Sequence, residues 1–183
     1  MGPHVDSWPR WSDPKSVPTM TLRPFAGSTT HQNLMAGSPA VIHFSDDPWL
    51  FAKSATSPIR GDEVESLTVP LGDGCRRLER CQRYFRVRCR NVRPDDLRPV
   101  FACEVLEHAV VDPGGPLHRG TAAVIEAAIL ATRVHLNPPH ELERSIQWLR
   151  SAVDKTADER TTDAFALIET FIDAARSTPA APK

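Results

Sequence analysis

The chain has 183 residues, 40% of them hydrophobic and 25% charged, with 22 basic and 23 acidic residues giving a formal net charge of −1. That length suffices for one domain with a buried core and a helical appendage, and the balanced charge supplies no electrostatic drive toward nucleic acid or an anionic membrane. No apolar run approaches the roughly 20 residues needed to span a bilayer, and the segment Met1 to Trp8 has neither the basic nor the apolar region of a signal peptide.

These features predict a cytoplasmic protein. Its four cysteines, Cys75, Cys81, Cys89 and Cys103, are separated by five, seven and thirteen residues. No CxxC pair occurs, so the spacing does not suit zinc, and each cysteine reads as a reduced, partly buried small residue.

Residues 1–19 carry four prolines and two tryptophans and read as a strand remnant followed by an irregular loop. Thr19 to Arg23 is expected to be a short strand. Ser28 suits an N-cap, Thr29 to Ala36 a helix and Gly37 its C-terminal stop. Ala40 to Phe44 is apolar and β-branched, the composition of a strand. Asp47 and Pro48 have the chemistry of a cap and a first helical position, opening a helix over Trp49 to Ala55. Residues 56–63 read as a loop and Val64 to Val69 as a strand. Tyr84 to Val92 alternates apolar and polar residues, the period of a half-buried strand, and Arg98 to Leu106 is its expected partner. Strands at this spacing predict an antiparallel barrel.

The C-terminal third changes character. Thr121 to Leu136 reads as one long, nearly all-apolar helix buried on more than one side. Two amphipathic helices follow, over Glu141 to Val153 and Asp158 to Ala175, the second with Phe165, Ile168, Phe171 and Ile172 on its core face. Ser177 to Lys183 reads as a frayed tail.

The run Arg23-Pro24-Phe25-Ala26-Gly27-Ser28-Thr29-Thr30 is the main candidate site. A phosphate monoester carries nearly two negative charges, and a protein of balanced charge must hold it locally, with backbone N–H groups, hydroxyls and an arginine fork. All three occur within these eight residues, and Asn33 follows one turn on. A capped helix beside a surface arginine accounts for the same residues. Three successive hydroxyl residues lean toward a ligand, because one cap suffices for a helix.

Other groups have plainer readings. His31 is expected on the solvent side of its helix and His43 inside its strand. Asp46 and Asp47 lack a third ligand at metal spacing, and capping explains Asp47. Glu126 and Arg133, placed in the apolar helix, are expected either to form an ion pair, with each other or through Arg119, or to send Arg119 or Arg133 to a ligand. The arginines between Arg76 and Arg93 alternate with apolar residues and are expected to face outward from a barrel rather than to bind RNA.

Leu22-Arg23-Pro24-Phe25 with Ser28 to Leu34, Phe44-Ser45-Asp46-Asp47 with Leu50-Phe51-Ala52, and Ala122 to Arg133 together resemble the domain-of-unknown-function family 447 (DUF447). That family lies within the FMN-binding split-barrel, flavin reductase-like superfamily. The resemblance implies an α+β protein with a mainly β core: a split β-barrel domain over residues 1–136 and a helical C-terminal extension over 137–183. It also implies a homodimer with FMN as cofactor. Arg23, Pro24, Phe25, Ser28, Thr29, Thr30, Asn33, Arg119 and Arg133 would be the cofactor-binding residues, with the phosphate held by the first block.

The activity implied is that of an FMN-dependent oxidoreductase linked to pterin and one-carbon metabolism, with a small-molecule electron donor or acceptor. A non-catalytic flavin carrier or sensor and a flavin-free interaction module are the alternatives. No catalytic residue and no metal ligand is assigned. This chain departs from the family's pattern at His31, where a tyrosine is usual, and at Thr121, where a basic residue is usual. Met1-Gly2-Pro3-His4 resembles the middle of the family's N-terminal pattern, so translation is expected to start upstream, with a first strand missing from this chain.

Overall fold

A computed structural model describes residues 4–5, 20–94 and 97–177. The expected loop before Thr19, the centre of the turn after Arg93 and the tail beyond Ser177 lie outside the described residues. Chain contacts divide the protein into two compact units. One comprises Met1–Ser45 and Leu67–Pro113, the other Asp46–Ser66 and Gly114–Lys183.

The first unit is built on a five-stranded antiparallel sheet in the order β1-β2-β7-β6-β3. Its strands are β1 (His4–Val5), β2 (Met20–Leu22), β3 (Ala40–Phe44), β6 (Arg83–Arg93) and β7 (Val100–Val110). The long pair β6 and β7 shifts register between Arg86 and Val87 and again between Asn91 and Arg93. Such bulges bend a strand and raise its twist, and they curl this sheet into a half-barrel. Met20, Ile42, Phe85 and Val87 form its buried apolar cluster, flanked by Leu22, Ala40, Phe44, Cys89, Cys103 and Val105. The i, i+2 rows Phe85-Val87-Cys89 and Ala40-Ile42-Phe44 show why the alternation is legible: every second side chain points to one face. Arg88 and Arg90, between those rows, are exposed as expected.

The seven-residue helix α1 (Thr29–Met35) follows β2. It is N-capped by Ser28, and Gly37, at φ 76°, takes the left-handed conformation beyond its C-terminus.

A second sheet, β4 (Thr68–Gly72) with β5 (Cys75–Leu78), is a hairpin. Its loop residues Asp73 and Gly74 both have positive φ, 50° and 72°. This is the backbone that a two-residue primed turn requires and that Asp-Gly tolerates. The hairpin is pinned to the larger sheet at two places. The Leu78 N–H donates to His43 Nε2 at 3.0 Å, and Arg86 Nη1 donates to Asp73 Oδ2 at 2.8 Å.

The expected strand Val64 to Val69 is mostly helical. Asp62–Leu67 forms α3, and only Thr68 onward is strand. Three acidic side chains in its first turn, Asp62, Glu63 and Glu65, favour a helix start by complementing its dipole.

The second unit is helical: α2 (Pro48–Thr56), α3, α4 (Arg119–Ala131), a 3-10 turn (Val134–Leu136), α5 (Pro139–Thr156) and α6 (Glu159–Ser177). Its core joins Val124, Ala127, Leu142, Leu149, Phe165 and Ile168, all 5% exposed or less. Helix α4 packs against α2, α5 and α6. Its buried Ala123, Ala127, Ala128 and Ala131 let the neighbouring backbones approach closely. The expected helix to Leu136 ends five residues early, at Ala131, and resumes as the 3-10 turn. Among the described residues no helix is long and apolar enough to cross a membrane.

Candidate functional site

Arg23 emerges exposed from the end of β2. The chain then reverses over Phe25–Ser28, where the Ser28 N–H donates to the Phe25 carbonyl at 3.1 Å. Gly27, at φ 79°, occupies the left-handed region that this reversal demands. Ser28 is extended, and its Oγ accepts from the His31 N–H at 3.2 Å, the expected N-cap. Thr29 and Thr30 form the first turn of α1 with exposed side chains, and Asn33 is exposed one turn further on.

His31 departs from its expected solvent-facing role. Its Nδ1 accepts from the Gly27 N–H at 3.2 Å, and its ring meets the buried Phe101 edge-on, with centroids 6.1 Å apart. Gln32 Nε2 donates to the Gly27 carbonyl at 3.1 Å. Side chains of α1 therefore close both backbone groups of Gly27, and the turn is held rigid from the helix side.

Arg98, expected only as the first residue of a strand, joins this turn. The Arg98 guanidinium lies 4.3 Å from the centre of the half-exposed Phe25 ring, in cation–π range. The register explains its arrival: Leu22 pairs with Phe101, so the chain leaving β2 runs beside the chain entering β7. Only strand pairing could have revealed it, since Arg23 and Arg98 are far apart in sequence.

Arg119 and Arg133 belong to the second unit. Arg119 is the first residue of α4, and Arg133 lies two residues past its end. At 1.5 Å rise per residue they are about 20 Å apart along the helix axis, too far to grip one phosphate together. The expected pairing of Glu126 with Arg133 or Arg119 is absent among the described residues. All three are exposed, because alanines rather than charges fill the buried face of α4. Glu126 instead lines a groove of about 890 Å³ between α4 and α5, with Leu130, Arg144 and Trp148.

His118 caps α4. Its Nδ1 accepts from the Thr121 N–H at 3.2 Å, and its Nε2 donates to the Thr156 carbonyl at 2.5 Å. The two bonds orient the ring and bind the start of α4 to the end of α5.

On the polar face of the first sheet, Tyr84 donates its hydroxyl to Glu107 Oε1 at 2.5 Å, and Arg86 Nε donates to Glu107 Oε2 at 3.1 Å. The Tyr84 hydroxyl, then Arg86, holds the Glu107 carboxyl below the usual carboxylate range, while the same bond raises Tyr84. Burial, and secondarily the Arg77 charge, lowers His43 to about 4, in keeping with its expected place inside a strand. Asp47 caps α2 and pairs with Arg160, and no group of three or more His, Cys, Asp or Glu side chains suited to a metal occurs among the described residues.

Two family models match this chain: "Protein of unknown function (DUF447) N-terminal domain" over residues 15–112 and "Protein of unknown function (DUF447)" over residues 118–170. The chain belongs to the DUF447 family. Among solved structures, this DUF447 chain is similar to an FMN-bound protein of the same family from Methanosarcina mazei. The TM-score is 0.70 with 23% sequence identity, over 84% of this chain and 81% of the other. That likeness carries the fold, an α+β split barrel with C-terminal helices. No curated protein matches this DUF447 chain.

Proposed function

We propose that this protein binds FMN through the turn after β2, as a cytoplasmic homodimer, and works as a flavin-dependent oxidoreductase. The observation that carries the reading is the cationic, hydroxyl-rich turn itself. Arg23 is exposed at the strand end, the Thr29 and Thr30 hydroxyls are exposed one step beyond a reversal held by His31, and Arg98 lies over Phe25.

The residues fit an anionic tail. Arg23 would supply a planar donor fork to a phosphate, and Thr29 and Thr30 would add hydroxyl donors. A turn already closed by Ser28, His31 and Gln32 loses little freedom on binding. The FMN held by the Methanosarcina mazei relative supports the cofactor's identity. Bound FMN would supply the electron and hydride chemistry, and the protein its position and electrostatic surroundings. A reduced nicotinamide, a pterin or a deazaflavin is the class of electron partner such a site would serve.

The test is the absorbance spectrum of the purified protein before and after adding FMN, followed by anaerobic mixing with NADH or NADPH. A bound-flavin band near about 450 nm that bleaches on mixing is expected for an oxidoreductase. A flavin that binds but is reduced by no donor would leave the carrier reading. Failure to bind FMN at all would overturn the proposal.

A further inference from the structure

Cys89 on β6 and Cys103 on β7 are direct cross-strand partners. Their sulfurs lie 2.8 Å apart, and both residues are half-buried on the apolar face of the sheet. We propose that Cys89 and Cys103 form a reversible intramolecular disulfide in exchange with a small-molecule disulfide, making the β6–β7 pair a thiol modification site.

The register brings the two residues within bridging distance. Directly opposed residues of an antiparallel pair have Cα atoms about 4.5–5.5 Å apart, inside the range of about 4.4–6.8 Å that disulfides bridge. No backbone shift is needed, because the ladder on either side, Arg88 with Glu104 and Arg90 with Ala102, already holds the strands in place. The other two cysteines have no such mate: Cys75 and Cys81 are buried, and Cys81 Sγ is engaged with the Leu78 carbonyl at 3.5 Å.

The pair also divides its proton unequally. Either sulfur can donate across the contact; with Cys103 as the donor, the bond lowers the Cys89 thiol against the opposing effect of burial. The same bond, with burial, raises Cys103. In the proposed exchange Cys89 is the attacking thiolate.

The exchange balances in two steps. The Cys89 thiolate attacks one sulfur of the small disulfide, forming a mixed disulfide and expelling one thiolate, which takes up the proton that Cys89 lost. Cys103, deprotonated as it attacks, displaces the second thiol from Cys89 and closes the cross-strand bond. The protein loses two electrons and two protons, and the small disulfide becomes two thiols. The reaction uses no flavin and stands apart from the cofactor proposal.

The test is peptide mapping of the full chain after incubation with oxidised glutathione, with remaining thiols alkylated under denaturing conditions. Cleavage after Arg90 separates the two cysteines. The expected product is a monomer about 2 Da lighter, with Cys89 and Cys103 peptides linked, Cys75 and Cys81 alkylated, and the change reversed by dithiothreitol. In Cys103→Ser the reaction should stop at a glutathione adduct on Cys89. Full alkylation of Cys89 and Cys103 in the wild-type chain at every oxidant concentration would overturn the proposal. So would adducts that never resolve, a link to Cys75 or Cys81, or a bond between chains.

Discussion

Asp47 and Arg160, 113 positions apart, meet through two parallel hydrogen bonds: Arg160 Nε to Asp47 Oδ1 at 2.8 Å and Nη2 to Oδ2 at 2.6 Å. Oδ1 also accepts from the Trp49 N–H at 3.1 Å, and the guanidinium lies 5.4 Å from the Trp49 ring centre. One carboxylate thus caps α2 and ties it to α6. Asp47→Ala is expected to remove the cap and leave a half-buried arginine without its fork, destabilising the protein by about 2–3 kcal/mol. Asp47→Asn keeps the cap and should lose less. Urea unfolding of both variants checks the order; equal losses would show that the cap contributes nothing beyond the ion pair.

Stability should fall as the pH drops through the range in which His43 titrates. The native imidazole, held at about 4 by burial and by Arg77, stays neutral while the unfolded chain protonates near pH 6.5. Between those values the unfolded state binds the extra proton, so stability is full above about pH 6.5 and is lost progressively toward pH 4. The site is partly open to solvent, so a loss of about 1–2 kcal/mol is expected rather than the full value of the shift. Unfolding free energies at pH 7 and pH 4.5 for the wild type and His43→Gln test this. The variant should show a flatter dependence, and parallel curves would rule His43 out.

Gly120 has no room for a methyl group. A Cβ there would lie 3.0 Å from His118 Cε1, 3.2 Å from Thr156 Oγ1 and 3.3 Å from Thr161 Cγ2. The imidazole cannot yield, because both its nitrogens are engaged. Alanine normally stabilises a helix relative to glycine by up to about 1 kcal/mol. Here overpacking should win, and Gly120→Ala is expected to destabilise by about 1–2 kcal/mol net. A rise in melting temperature would show that the cap relaxes.

Arg23→Ala should weaken FMN binding by about 1.5–3 kcal/mol, the scale of a hydrogen bond to a charged group, with the melting temperature of the flavin-free protein little changed. Titration calorimetry or quenching of flavin fluorescence reads the affinity. Unchanged affinity would move the phosphate away from this turn.

Local chemistry carried much of the fold into the sequence. Ser28 and Asp47 announce their helices because capping is settled within three residues, and β3 and β6 announce themselves by composition and period. The segment 62–69 misleads because Val64 and Leu67 fit a short strand as well as one helical turn. The Asp73-Gly74 signal of the hairpin was present but lies outside any long alternating run. What stayed hidden is what strand pairing assembles: Arg98 over Phe25, Cys89 against Cys103, and His43 beneath Leu78. Glu126 and Arg133 do not form the expected buried ion pair, because an alanine-rich helix buries its small residues and leaves its charges outside.

The two attachments of the β4–β5 hairpin have a consequence for its motions. A two-stranded ribbon is marginal in water by itself, yet this one is riveted at its tip by Asp73 and near its far end by Leu78. Its amide protons should exchange with solvent at the pace of the half-barrel rather than that of a fraying loop. Acidification, by protonating His43, would undo one rivet and let the ribbon swing about the other.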